Sequence, residues 1–68
     1  MKKTINGKVV NYQELNGEKL CLIKDMSTAT GINVETIRKL VQRDQIDFVR
    51  FGRINLIPLY EVVKRMGV

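Results

Sequence analysis

The tight reversal at Gly31-Ile32-Asn33 limits this chain more than any other feature, because it separates two segments of helical periodicity. Before it, Ile23, Met26 and Ala29/Thr30 recur at helical spacing within Leu22–Thr30. After it, Val34, Ile37, Leu40 and Val41 share one face of a second segment, Val34–Arg43, and are its expected core positions. Gly31 can take a left-handed backbone and so end the first helix. Asn33 can cap the second. Ser27, Thr28 and Thr30 are poor helix formers, so packing rather than propensity must hold the first helix.

Asp44-Gln45 ends the helical pattern, and a hairpin follows. Phe48-Val49-Arg50-Phe51 and Ile54-Asn55-Leu56-Ile57 read as short strands joined by a tight Gly52-Arg53 connection. Pro58 suits the first position of a last helix, Leu59–Met66, with an apolar stripe of Leu59, Val62, Val63 and Met66. Glu61 and Arg65 are spaced i,i+4 and are expected on a solvated face.

Residues 1–21 have another texture. Asn6-Gly7 and Asn16-Gly17 both suit type I′ hairpin turns. A small sheet of residues 2–5, 8–15 and 18–22 follows, with Glu14 opposite Lys19 and Tyr12 opposite Cys21. This segment either covers the helical core or serves as a partner-binding arm. The pattern as a whole predicts an α+β chain of the winged helix-turn-helix type: three short helices and a β-hairpin wing, with an extra N-terminal β-hairpin. Residues 1–21 form the extension and residues 22–68 the winged-helix unit.

At 68 residues the chain holds one hydrophobic core, burying about 60% of its unfolded surface. There is no histidine, and Cys21 is the single cysteine, so neither a disulfide framework nor a Cys/His zinc site fits within one chain. Cys21 lies in the apolar run Leu20–Ile23 and reads as a buried structural thiol. Asp25, Asp44, Asp47 and Glu61 fall on separate elements without dyad spacing, and no glycine-rich phosphate loop is present. The expectation is a protein that is not an enzyme and uses no cofactor. No apolar run reaches the ~18 residues of a membrane span, and Lys2-Lys3 precedes no signal-type core. A cytoplasmic, nucleoid-associated location is expected.

The net charge of +5 favours a polyanionic partner, and position sharpens this. Of the five arginines, Arg38, Arg43, Arg50 and Arg53 fall on the second helix and the hairpin, leaving only Arg65 elsewhere. Arg and Lys in a major groove can bond guanine O6 and N7. Arg38 and Lys39 are adjacent, about 100° apart around the helix, so one can read a base while the other grips phosphate. Gln42 follows Arg38 by four residues and can read adenine, and Arg43 extends the Lys39 row. Thr36 near the helix N-terminus and Lys24 at the start of the first helix suit phosphate. Arg50 and Arg53 on a wing suit a narrow minor groove. Glu35 repels phosphate unless it accepts from a cytosine amino group. The bland reading of each cation is a solvated helix face.

The stretch Ile23–Pro58 resembles the excisionase-like, MerR-like winged-helix family of small DNA-binding proteins from phages and mobile elements. The resemblance rests on Ile23-Lys24-Asp25, Gly31-Ile32-Asn33, Thr36-Ile37-Arg38-Lys39-Leu40-Val41, Val49-Arg50 with Gly52-Arg53, and Ile57-Pro58. It covers about half the chain. It implies DNA contacts at Thr36, Arg38, Lys39, Arg43, Arg50 and Arg53. Leu22 stands where the family often has a capping Ser or Thr, Val34 where it often has a polar residue, and the wing turn is one residue shorter. The resemblance, with no long dimerisation helix before Val68, implies a recombination directionality factor. Such a factor binds and bends double-stranded DNA, self-associates along it and recruits an integrase or recombinase. The alternatives are a small transcriptional repressor or activator, and a protein-interaction module on a winged-helix scaffold.

Overall fold

A computed structural model describes residues 1–67, so Val68, the end of the expected winged-helix unit, lies outside the described residues. The described residues form an α+β structure with three helices and two antiparallel sheets. Strands β1 (Lys2–Ile5) and β2 (Lys8–Asn11) form a two-stranded sheet. Strands β3 (Gln13–Leu15), β4 (Glu18–Leu22), β5 (Val49–Phe51) and β6 (Ile54–Pro58) form a second sheet in the order β3-β4-β6-β5. Helices α1 (Ile23–Thr30) and α2 (Val34–Gln42) lie between β4 and β5, and α3 (Leu59–Arg65) follows β6.

Both Asn-Gly pairs are hairpin turns with positive φ at each residue: 51° and 81° at Asn6-Gly7, 52° and 81° at Asn16-Gly17. Type I′ turns require this pair of left-handed residues. Glu14 lies opposite Lys19 as expected. The β3–β4 ladder keeps the expected register but stops at Gln13–Leu20, one step short of the Tyr12–Cys21 pair. The expected 8–15 strand breaks at Tyr12, whose N–H donates to Met1 O at 2.9 Å. On the other edge of β4, Cys21 pairs with Ile57. The expected single N-terminal sheet is therefore two: the first hairpin stands apart, and β3-β4 joins the C-terminal hairpin through β4-β6. Strand β4 pairs on both edges, Leu20 meeting Gln13 on one side and Pro58 on the other, so the apolar run Leu20-Cys21-Leu22 is central in the second sheet. The expected boundary after residue 21 falls within β4.

One core joins both halves of the chain. It contains Ile5, Val10, Cys21, Met26, Ala29, Ile37, Val41, Ile46, Ile57, Leu59 and Val62. Helix α1 buries Met26 and Ala29, and α2 buries Ile37 and Val41. Leu40 packs half-buried against this core, while Val34 is half-buried outside it. The polar residues that weaken α1 tie down its exit. Thr30 Oγ1 donates to Met26 O (2.7 Å) and accepts from Ile32 N–H (3.2 Å), while Ser27 Oγ donates to Ile32 O (2.6 Å). Gly31 closes the helix at φ 78°. These bonds fix the three-residue turn, and so the angle at which α2 leaves.

Two further expectations need correction. Pro58 is not the first helical residue: at φ −58°, ψ 141° it ends β6 opposite Leu20 and is the N-cap of α3. Its missing N–H costs nothing in either place. Glu61 is not on a solvated face and makes no ion pair with Arg65 among the described residues. It is 5% exposed, and its Oε2 accepts the Asp47 N–H at 2.7 Å. Tyr60 Oη donates to Asp47 Oδ2 beside it, and Arg65 Nη2 reaches Gln45 O at 3.4 Å. Three consecutive contacts thus clasp the loop between α2 and β5 onto α3. The loop was expected only as a break in periodicity; its Ile46 is 4% exposed and anchors it in the core.

Candidate nucleic-acid interface

Helix α2 begins at Asn33, whose side chain accepts the Glu35 N–H at 2.8 Å. It ends in a left-handed residue at Asp44 (φ 55°). Asp44 N–H donates to Val41 O (3.2 Å) and Gln45 N–H to Leu40 O (2.9 Å). That paired closure is the Schellman motif, here with Asp where Gly is usual. Both ends of α2 are therefore fixed, and Ile37 and Val41 lock its inner face. Its outer face carries Thr36, Arg38, Lys39 and Gln42, with Arg43 as C-cap, and all five are exposed.

The hairpin stands beside this helix. Its register pairs Val49 with Leu56, Arg50 with Asn55 and Phe51 with Ile54, leaving Gly52-Arg53 as the two-residue turn. Gly52 takes φ 64°, and Arg53 keeps a negative φ. A positive φ at the first turn position alone is the type II′ pattern, which glycine meets without strain. Arg50 and Asn55 share one face of the hairpin, and Phe51 and Ile54 share the other. Arg50 Nε donates to Gly52 O at 3.2 Å, which holds its guanidinium against the turn.

A shallow groove joins the two elements, lined by Ile23, Arg38, Val41, Gln42, Arg53 and Asn55. Three expected site residues, Arg38, Gln42 and Arg53, therefore converge from α2 and the hairpin turn. Lys24 is exposed on α1 and borders a different recess with Tyr12 and Gln13. Thr36, Lys39, Arg43 and Arg50 are exposed but do not line this groove.

Two residues gain a place that sequence reasoning did not give them. Asn55 lines the groove and carries a carboxamide, which can pair with the N6/N7 edge of adenine. Its signal was available: it is the residue opposite Arg50 once Gly52-Arg53 is taken as the turn. Glu35 holds Arg38 in an ion pair, Oε1 to Nη1 2.8 Å, with side chains 69% and 59% exposed. An exposed i,i+3 pair contributes only about 0.2–0.5 kcal/mol. It orients Arg38 yet yields readily to a stronger anion.

In chemical terms the groove offers two guanidinium groups and two carboxamides. It has no nucleophile–base pair. Cys21, the chain's one thiol, is 1% exposed, and burial, then the nearby Asp25 charge, raises its pKa from 9.0 to about 12. No helix among the described residues is long and apolar enough to cross a membrane. No known family, curated protein or solved structure matches the chain.

Proposed function

We propose that this chain is a winged helix-turn-helix protein that binds double-stranded DNA. In this reading α1, the Gly31–Asn33 turn and α2 are the helix-turn-helix, and β5–β6 is the wing. The observation that carries it is the groove in which Arg38 and Gln42 of α2 face Arg53 and Asn55 of the hairpin. A helix of this kind enters the major groove, where Arg38 reads guanine and Gln42 adenine. Lys39, Arg43, Thr36 and Lys24 grip the flanking phosphates, and the wing arginines reach the adjacent minor groove. The protein acts by binding and not by catalysis.

The biological role that fits best is the one implied by the excisionase-like resemblance: a recombination directionality factor that bends DNA for an integrase. Regulation of transcription from the same surface is the rival. In a recombination assay with paired attachment sites, the factor should favour excision over integration. A bound but unbent operator and an indifferent recombinase would transfer the proposal to transcription.

Binding itself is tested by titrating duplex DNA against salt. Counterion release gives a slope of about −0.9 per neutralised phosphate, so six cations at the surface set its upper limit near −5. Arg53→Ala should flatten the slope by about one phosphate equivalent and weaken affinity. Equal slopes and affinities for the two proteins would take the wing off the DNA.

A further inference from the structure

The first hairpin is anchored in the core by Ile5 and Val10 and is otherwise cationic. Residues 1–13 hold Lys2, Lys3 and Lys8 and no acid, and all three lysines are exposed. The β1–β2 ladder sorts them. Lys3 pairs with Val10 and Lys8 with Ile5, on the face that carries the buried pair, whereas Lys2 pairs with Asn11 on the other face. Lys3 borders a recess with Tyr60 and Val63 of α3, and Lys8 lies at the turn end of the hairpin. Lys2 and Asn11 lie at the open end, which abuts α1. There Asn11, Tyr12 and Gln13 line a recess of about 290 Å³ together with Leu22, Lys24 and Asp25.

This recess adjoins the groove between α2 and the wing. Ile23 lines the groove, and Lys24, the next residue, lines the recess. Lys24, Asn11 and Gln13 are exposed donors around it, and exposed Lys2 stands beside Asn11. Ammonium and carboxamide N–H groups are the donors that phosphate oxygens take. Asp25, the acid of the lining, is half-buried, unlike the donors. Resting on the duplex-DNA reading, we infer that the open end of the first hairpin is a second phosphate-binding element, in which Lys2, with Asn11 and Gln13, continues along the DNA backbone from Lys24. Continuity with the groove at Ile23-Lys24 favours the phosphate chain flanking the major groove over an acidic protein, which needs no such alignment. The N-terminal extension thus has two roles: Ile5 and Val10 complete the core, and Lys2 lengthens the footprint. Contacts of this kind add affinity on every sequence and no preference among sequences. One more neutralised phosphate steepens the salt slope by about 0.9.

The test is the salt dependence of binding by the full chain, read by fluorescence anisotropy on a dye-labelled duplex and repeated on a scrambled one. Lys2→Gln should flatten the slope by about 0.9 and weaken binding severalfold, on both duplexes alike. Lys2→Arg, which keeps the charge, should retain the wild-type slope. Lys8→Gln removes the same charge at the other end of the hairpin and should leave the slope close to that of wild type. Circular dichroism checks that each variant is folded; Lys2 and Lys8 are exposed and bear on no core residue. Equal slopes for wild type and Lys2→Gln overturn the inference while leaving the α2 and wing contacts in place. Equal flattening by Lys2→Gln and Lys8→Gln also overturns it, because only net charge is then at work. A wild-type chain that binds neither duplex, even at low salt, removes the duplex-DNA reading itself.

Discussion

Glu61 offers the sharpest test of how the structure is held. It is 5% exposed on α3, and its Oε2 accepts the Asp47 N–H at 2.7 Å across 14 residues of sequence. Among the described residues its other oxygen, Oε1, is buried without a partner, as is Arg65 Nε. Two effects oppose each other in Glu61→Ala. Losing a charge-assisted hydrogen bond costs about 1.5–3 kcal/mol. Removing a buried carboxylate whose second oxygen is unsatisfied returns about 1 kcal/mol of that cost. The expected net loss is about 0.5–2 kcal/mol, or roughly 2–16 °C in Tm for a domain this small. Glu61→Gln keeps an acceptor for Asp47 N–H without the charge and should fall within about 1 kcal/mol of wild type. Urea unfolding followed by circular dichroism measures the losses, and hydrogen exchange at the Asp47 amide locates them. An Ala variant as stable as wild type, with the Asp47 amide equally protected, would refute the clasp. The clasp also positions β5, so the Ala variant should weaken DNA binding more than a surface change on α3.

Three smaller changes follow from the same geometry. Glu35→Gln frees Arg38 and removes a negative charge from the surface, so DNA affinity should rise about two- to fivefold, or about 0.5–1 kcal/mol, in binding titrations; weaker binding would mean that Glu35 itself contacts a base. Asp44→Gly relieves a left-handed non-glycine residue at the end of α2 and should stabilise the fold by about 0.5–1 kcal/mol in denaturant unfolding, whereas a loss would show that the Asp side chain holds the cap. Burial raises Cys21 from 9.0 to about 12, so both states hold a neutral thiol below pH 9, and above it the unfolded chain ionises first. Stability should therefore fall as pH rises from 9 toward 12, by at most about 1.4 kcal/mol per unit from this group. Comparison with Cys21→Ala over the same range isolates that slope, and parallel profiles would contradict it.

What was legible in the sequence was local. Gly31 at a helix exit, Asn33 as a cap, the Asn-Gly turns and the two-residue Gly52-Arg53 connection are each set by the φ or side-chain acceptor that one residue type supplies. The helices followed to within a residue or two because their apolar spacing is intact. What was hidden depended on residues far apart in sequence. The pairing of β4 with β6, in which Cys21 meets Ile57 36 positions later, is one such feature. Ile46 looked like loop because no periodicity surrounds it, yet it is buried. Glu61 and Arg65 have the spacing of a surface pair, and only the loop that folds back from Gln45 to Asp47 buries the acid. In the candidate site, the cations were readable from composition and helix phase. The meeting of Arg38 and Gln42 with Arg53 and Asn55 was not, because it depends on how the sheet sets the hairpin against α2.

The central claim is that the outer face of α2 docks on duplex DNA. Equilibrium binding of the folded Arg38→Ala, Lys39→Ala double variant, set beside wild type at fixed salt on a bound duplex and on a scrambled one, tests it most directly. Each side chain is exposed and bears on no core residue, so the fold should be unaffected. If Arg38 reads a base, its loss alone costs about 1–3 kcal/mol of specific affinity, and losing the Lys39 phosphate contact weakens both duplexes further. The account predicts specific affinity reduced at least tenfold, with the preference over scrambled DNA reduced as well. A double variant that binds both duplexes as wild type does would contradict it.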